Sequence, residues 1–314
     1  MSRIFSSFPS ARQPVSAGTL SALIQLQRQD LLTGLLDVVY EGEQALLFFN
    51  VGSPFVLFHR GETKWRKVPS TQWNDVFARP NGQAAIIPLG GDALRMCLLA
   101  LEAGAGESEE VLLRPAGFKL YLENVQTRDA ATLIWVREEA LQGFILVPGR
   151  KLPLRDALVF SPAGQKSDAD ALSMLFKLDD RLLRISQFEF SEFPPFLQEY
   201  ALRVVFLLLA EPALKRFEQL AGDTLMEALS QEVNRFAFHQ GWKIQFFGER
   251  VQHRQYFQDV SEAAAVYRSF FRVLKQYAIR VVGAALAGSM AAEGVDSLPA
   301  TYREILESRN FLVG

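Results

Sequence analysis

The feature that most constrains the fold of this chain is a pattern that occurs twice. GDALRMCLL at 90–98 shares Asp-Ala-Leu-x-Met with DADALSMLF at 168–176. Each block is followed by an acidic pair and then Leu-Leu-Arg, in EEVLLR at 109–114 and in DDRLLR at 179–184. Chance likeness between Ala/Leu/Met helices would explain one short match, but several blocks in the same order indicate a duplicated unit.

Upstream segments extend the repeat. Gly18–Asp30 aligns with Gly117–Asp129, and QALLFFNVG at 44–52 aligns with QGFILVPG at 142–149 after the loss of one residue. On this alignment the first copy carries an extra segment at 61–82. Differences in length are tolerated best in surface loops, so the alignment is compatible with one shared topology.

The repeat predicts a leading helix, an antiparallel sheet and an Asp-Ala-Leu helix in each copy. In both copies Leu94 and Leu172 are expected at equivalent core positions. EVLLR is expected to close the first copy. Runs of apolar residues separated by Gly, Pro and Glu turns predict the strands of the first sheet: 34–40, 44–50, 55–59 and 83–89.

From about Pro194 the pattern becomes helical. WKIQFFGERVQHRQYF alternates apolar and polar residues around Gly248, which predicts a short hairpin between helices. A long helix is predicted over 261–292, ending at Gly294, and a short one begins near Thr301.

A chain of 314 residues is long enough for two or three domains. The predicted fold class is α+β, with two related α/β modules of antiparallel or mixed sheets followed by a mostly helical C-terminal domain. The predicted divisions are a flexible tail at 1–17, a first module at 18–115, a second module at 116–193 and the helical domain at 194–314.

Charge and apolar patterning bear on partners and location. The 33 Lys and Arg nearly balance the 35 Asp and Glu, so no whole-chain field attracts nucleic acid, and any such contact would have to be local. No apolar run approaches the length of a membrane span. One cysteine, Cys97, excludes an intramolecular disulfide. We therefore expect a cytoplasmic protein with no nucleic-acid partner and no integral membrane span.

Signals for catalysis or cofactor binding are absent from the sequence. It contains no Walker sequence, GxGxxG, HExxH, GxSxG or CxxC. The histidines His59, His239 and His253 lack the i,i+4 partner of a metal pair, and Cys97 lies in an apolar run typical of a buried thiol. We expect no catalytic residues, no metal and no cofactor.

The segment 61–82 holds the candidate partner-binding residues. Aromatic residues and arginine are enriched at the centres of protein interfaces. Trp73 and Phe77 have an alternative role, which is to cover the sheet of their own module. Trp65 and the basic residues beside it are expected to be exposed. The candidate residues are Trp65, Arg66, Lys67, Trp73 and Phe77.

Small residues recur at fourfold spacing in the predicted helix 261–292, at Gly283, Ala287 and Ala291. Small side chains let another helix approach closely. The neighbour is either a helix of the protein's own core or the same helix of a second copy, so a homo-oligomer is one of the partners that this pattern allows.

The module's pattern resembles a known family. A leucine-rich helix, TGLLDV at 33–38, LLFFNVG at 46–52, an Asp-Ala-Leu helix and a closing strand are similar to the PatA-type N-terminal domain. The resemblance covers about 18–114 and, more weakly, 117–190. That bacterial domain of unknown function occurs beside response-regulator receivers. The resemblance implies a non-catalytic regulatory role in signal transduction and carries over no catalytic residue.

These observations predict a cytoplasmic adaptor of bacterial signal transduction that binds other signalling proteins. The alternative is a small-ligand sensor or enzyme with a pocket between the two repeats. Peripheral membrane attachment through 261–292 is disfavoured because that helix lacks a strongly basic face.

Overall fold

The structure is a computed structural model, and it describes residues 12–61, 65–79, 81–103, 110–139, 141–149, 152, 154, 156–178, 181–190, 195–296 and 298–308. The chain divides into two compact units, Met1–Glu192 and Phe193–Gly314. The first unit holds two antiparallel six-stranded sheets and the second is mostly helical, so the fold is α+β.

The first sheet has the strand order β1-β6-β2-β3-β4-β5, and all its pairings are antiparallel. Its strands are β1 (Gln13–Val15), β2 (Gly34–Tyr40), β3 (Glu43–Asn50), β4 (Ser53–Arg60), β5 (Trp65–Val68) and β6 (Gly82–Pro88). The accompanying helices are α1 (Ala17–Gln29), the five-residue α2 (Trp73–Phe77), which follows a 3-10 turn at Ser70–Gln72, and α3 (Gly91–Glu102).

The second sheet has the order β7-β12-β8-β9-β10-β11, again antiparallel throughout. Its strands are β7 (Glu110–Leu113), β8 (Ala131–Glu138), β9 (Leu141–Val147), β10 (Asp156–Ser161), β11 (Gly164–Ser167) and β12 (Leu183–Phe190). Its helices are α4 (Pro115–Val125) and α5 (Asp168–Phe176).

The two sheets have one topology, because strand by strand their orders coincide. The pairing registers show that an offset of 98 residues relates Gln13 to Val111, Val38 to Val136 and Leu47 to Ile145. The first third of each module therefore matches without a gap. The predicted loss of one residue after the leading helix is wrong, since α1 and α4 begin at the same offset as the strands.

Each sheet has one face covered by two helices. In the first module α1 and α2 supply Leu20 and Val76 to a core that contains Leu36, Leu47 and Leu57. In the second, α4 and α5 supply the equivalent layer, with Phe118, Leu122 and Leu175 among its members. The helix α2 is thus the counterpart of α5, since each follows the fifth strand of its sheet in chain order and precedes the strand beside the central hairpin.

The predicted equivalence of the two Asp-Ala-Leu helices is wrong. Leu94 lies in α3, which follows the last strand of the first module, contacts β8, β9 and β10 of the second sheet and is buried along nearly all its length. Leu172 lies in α5, on the outer layer of its own module. The two helices share residues because both are short and apolar. Such a pattern indicates that a helix is buried, but it does not determine where the helix lies in the topology.

Two further expectations are corrected by the strand pairing. EVLLR does not close the first module, because β7 pairs with β12 at the edge of the second sheet. The segment 61–82 is not an extra segment, because it supplies β5 and α2, the counterparts of β11 and α5. The predicted tail also contributes structure, since β1 pairs with β6 and Arg12 contacts Asp37; residues 1–11 lie outside the described residues.

The helical unit is organised around α6 (Pro195–Ala221), which contacts all the other helices described in this unit. Helix α6 continues through Pro212. The remaining elements are α7 (Asp223–His239), β13 (Ile244–Phe247), β14 (Arg250–His253), α8 (Val260–Val282), α9 (Ala284–Asp296) and α10 (Ala300–Ser308). The hairpin predicted around Gly248 is confirmed.

The single long helix predicted over 261–292 is wrong. It divides at Gly283, whose φ of +85° is a left-handed conformation that ends α8 before α9 begins. Glycine adopts this conformation without steric cost, so the residue ends a helix where the sequence pattern suggested a packing face.

Candidate partner-binding surface

Strand β5 forms one edge of the first sheet and carries three of the predicted partner-binding residues. It pairs with β4, placing Trp65 opposite Arg60, Arg66 opposite His59 and Lys67 opposite Phe58. The side chains of Arg66 and Lys67 are exposed, as predicted. An edge strand with outward cations is protected from unspecific pairing but still offers backbone groups to a partner strand.

Trp65 is half-buried, whereas the sequence predicted that it would be exposed. Its indole nitrogen is buried and has no hydrogen-bond partner among the described residues. An indole N–H usually finds an acceptor when it is buried. The half-buried ring therefore contributes apolar area at the edge of the sheet.

Trp73 and Phe77 do not lie on the exposed surface. Both pack against the core of the first module, and the Trp73 indole N–H donates to the Val68 carbonyl oxygen over 3.0 Å. Their role is the alternative recognised in the sequence, which is to cover their own sheet. The hydrogen bond to Val68 also fixes the end of β5.

A polar cluster of Glu43, His59 and Arg79 lies behind the edge. His59 is buried, and its Nε2 lies 2.8 Å from Glu43 Oε2. Arg79 pairs with the same carboxylate oxygen, and its guanidinium lies 5.7 Å from the ring centroid of Tyr40. The cluster ties the segment that follows α2 to the strands β3 and β4.

The titration of the cluster follows from its surroundings. Burial lowers the pKa of His59, and the nearby Arg66 charge lowers it further. Burial raises the pKa of Tyr40, an effect that Arg79 partly offsets. His59 is therefore neutral at neutral pH, and as the tautomer that carries hydrogen on Nε2 it donates to the Glu43 carboxylate.

The sequence drew attention to His59 as a possible metal ligand or base, but not to Glu43 as its partner. The one signal for Glu43 was its position at the start of β3, opposite Tyr40 at the end of β2. The contact between Glu43 and His59 cannot be predicted without the strand register, because Glu43 lies two positions along β3 from the residue that pairs with His59.

The second module has a different edge at the corresponding place. Strand β11, Gly164–Ser167, is the counterpart of β5 and is exposed from Gln165 onwards, with Lys166 as its cation. It contains no aromatic residue. The combination of an aromatic ring with two adjacent cations thus distinguishes the first module's edge from that of its duplicate.

The predicted helix seam is not assembled as a continuous face. Gly283 lies between α8 and α9, and a Cβ added there would meet no atom within 4 Å, so no close helix approach requires it. Ala287 is buried, and Ala291 lies outside the residues whose side chains are described.

The other candidate residues for chemistry have structural surroundings. His253 is buried, with Nε2 2.8 Å from the Tyr267 hydroxyl, and His239 is exposed at the end of α7. Burial raises the pKa of the Cys97 thiol. Within the described part of the chain, no group of three or more His, Cys, Asp or Glu is placed to hold a metal ion.

Among the described residues, no helix combines the length and the apolar character that a membrane span needs.

Comparisons with known proteins give little. No family model matches the chain, and no curated protein matches it. One matching solved structure is a DNA polymerase III beta-like protein from Eubacterium rectale, 8% identical over 61% of this chain and 68% of that chain, with a TM-score of 0.13. A likeness of that size carries no argument about fold or function.

Proposed function

We propose that this protein is a non-catalytic cytoplasmic adaptor of bacterial signal transduction, built on tandem PatA-type modules. The observation that carries the proposal is the edge strand β5, which presents exposed Arg66 and Lys67 beside the half-buried Trp65. The resemblance of the module's sequence pattern to a signalling domain supports the cellular context.

The chemistry of β5 defines the partner. An extended segment can add to a sheet edge through backbone hydrogen bonds, while alternate side chains supply specificity. Two adjacent cations favour carboxylates in the incoming strand, and the Trp65 ring offers an apolar contact. The partner is therefore a signalling protein with an extended acidic segment.

The first module is organised to hold this edge in place. Trp73 fixes the end of β5 through Val68, and Arg66 lies opposite His59, which is bound to Glu43. Rigid positioning of a binding strand reduces the entropy lost on association. The alternative function, a small-ligand sensor or enzyme with a pocket between the repeats, would need a cavity where α3 packs on the second sheet.

The test is an affinity purification from the native host with the double variant Trp65→Ala, Arg66→Ala. We expect the variant to keep its circular dichroism spectrum and to lose native partners. Lys166→Ala, at the corresponding edge of the second module, is the matched control and should retain them. A double variant that keeps every partner, or that unfolds while Arg66→Ala alone keeps every partner, contradicts the proposal, as does recovery of a metabolic enzyme complex.

A further inference from the structure

The β13–β14 hairpin of the helical unit has one buried and one exposed face. Ile244, Phe246, Val251 and His253 are buried, and β13 packs on α7 while β14 packs on α6. The alternate side chains point away from this core. All six on the exposed face are solvent-accessible: Lys243, Gln245, Phe247, Arg250, Gln252 and Arg254.

The register arranges these six residues in three rows. Gln245 lies opposite Gln252 and Phe247 lies opposite Arg250. Lys243 and Arg254 lie opposite each other at the open end of the hairpin, where the Arg254 amide donates to the Lys243 carbonyl oxygen over 2.9 Å. The face therefore presents a cationic row, an amide row and a row that combines an aromatic ring with a cation. We call it the ribbon face.

The charge of the ribbon face is one-sided. Lys243, Arg250 and Arg254 supply three cations, and none of the six positions carries a carboxylate. The nearest acid in sequence is Glu249, in the turn between the strands. A local concentration of cations on a chain whose total charge is −2 fits a polyanion bound at this place.

A side chain of α7 fixes the backbone of the hairpin, and Gln252 orients Arg254 on the ribbon face itself. The Asn234 side chain donates to the Phe246 carbonyl over 2.9 Å and accepts from the Phe246 amide over 2.7 Å. With its amide oxygen turned toward Arg254, Gln252 accepts from Nη2 at 2.7 Å and from Nε at 3.2 Å. The Arg254 guanidinium is thereby oriented before any ligand arrives.

Phe247 indicates which polyanion fits. Its side chain is 58% exposed although it is a large apolar group. An exposed ring among cations and amides is the arrangement that stacks a base, neutralises phosphates and offers hydrogen bonds to base edges. The amide row of Gln245 and Gln252, which β5 lacks, favours nucleic acid over the acidic segment proposed for β5, because amides can both donate to and accept from base edges.

We propose that the ribbon face binds single-stranded nucleic acid, with Phe247 stacking a base and Lys243, Arg250 and Arg254 contacting phosphates. This departs from the expectation drawn from whole-chain charge, and it stands independently of the adaptor proposal because it concerns a different unit. Same-face residues along a strand repeat at about 6.8 Å, so three rows span a few nucleotides.

The test is fluorescence anisotropy of the full chain with a labelled oligothymidylate or oligouridylate of about 20 nucleotides at low salt. We expect binding that weakens as salt rises. Phe247→Ala should weaken it about 5- to 150-fold, the range expected for loss of one stacked base. Replacing all three cations by glutamate should abolish binding. If that triple variant unfolds, Arg250→Gln and Arg254→Gln serve in its place and should weaken binding.

Two control variants localise the effect. Arg272→Glu removes an exposed cation from α8, and Phe238→Ala removes a ring that is 81% exposed on α7. Both should bind like the wild type. The proposal is overturned by wild-type protein that does not bind, by controls that weaken binding as much as Phe247→Ala, or by binding to anionic vesicles or polyglutamate that exceeds binding to the oligonucleotide.

Discussion

At the residue scale, two glycines distinguish the cost of a left-handed backbone from the cost of a steric clash with an added side chain. Gly42 and Gly52 both have φ of +76°, but a Cβ at Gly52 would lie 2.5 Å from the Arg28 carbonyl oxygen, whereas one at Gly42 would meet nothing within 4 Å. Gly52 follows β3 and allows that turn to pack against the end of α1. Gly149 has the same role after β9, where an added Cβ would lie 2.8 Å from the Asp129 carbonyl oxygen.

We predict that Gly42→Ala lowers the free energy of unfolding by about 1 kcal/mol, the cost of a left-handed backbone for alanine. Gly52→Ala should cost about 1–3 kcal/mol more, because the obstructing atom belongs to the backbone and cannot rotate away. Urea unfolding of both variants, followed by tryptophan fluorescence, measures the difference. Equal losses of stability in the two variants would contradict the prediction, because they would mean that α1 moves away from the new Cβ at no cost.

The pKa of His59 predicts a pH dependence of stability. The folded-state pKa lies below the ordinary value of 6.5, so the unfolded chain takes up the proton first as pH falls. Stability is therefore full above 6.5 and decreases as pH falls through 6.5 toward the folded-state pKa. His59→Gln should flatten this part of the profile.

The measurement compares urea unfolding of wild type and His59→Gln at about pH 8 and about pH 5.5. Three of the four tryptophans, Trp65, Trp73 and Trp135, lie in the first unit and report on it. Identical pH dependence in the two proteins would exclude His59 as the source.

Residue-scale features were predictable from the sequence when local pattern determined them. The exposure of Arg66 and Lys67 follows from their charge, because charged side chains are seldom buried without a partner. The Glu43–His59–Arg79 cluster depends on strand register and on the path after α2, which composition does not encode. Gly283 was taken for a packing residue because small side chains serve both helix contacts and helix ends.

At the element scale, the β13–β14 hairpin depends on one side chain from α7. Asparagine in a helix interior is unfavourable unless its amide has a specific partner, and Asn234 makes two hydrogen bonds to the backbone of Phe246. These bonds satisfy an N–H and a C=O that would otherwise lie unpaired in a partly buried place.

We predict that Asn234→Ala destabilises the hairpin by about 1–3 kcal/mol, because the Phe246 amide and carbonyl lose their partners. Hydrogen exchange at the Phe246 amide should accelerate while α6 amides are unchanged. Gln231→Ala, which removes one bond of 3.4 Å to Glu227 on the exposed side of α7, is the control and should change neither. An unchanged Phe246 exchange rate in Asn234→Ala would contradict the assignment.

Elements were predictable where periodicity was strong. The strands β2, β3, β4 and β6, the leading helices and the hairpin around Gly248 were indicated by pattern, whereas β1 and β5 were not. The equivalence of α3 and α5 was predicted and is wrong, because two short apolar helices have similar sequences whenever both are buried. The offset of 98 residues that relates the first three strands of one sheet to those of the other is a property of pairing, and pairing is what a single sequence does not reveal.

At the scale of the whole molecule, the chain consists of two compact units, each with a buried interior. The strands and helices of the two modules all lie before residue 193. We predict that a fragment covering 12–190 folds alone and unfolds cooperatively, because the sheets and the helices that cover them are complete within it. Circular dichroism and urea unfolding test this, and a fragment without a cooperative transition would contradict it.

The duplication gives the central functional claim its sharpest test, since one module supplies the control for the other. The measurement is backbone amide exchange of the full chain, alone and with the native partners recovered by affinity purification. The account predicts slower exchange at 65–68 in β5 and no change at 164–167 in β11. Protection at β11, or none at β5, would contradict the assignment of the first module's edge as the partner-binding site.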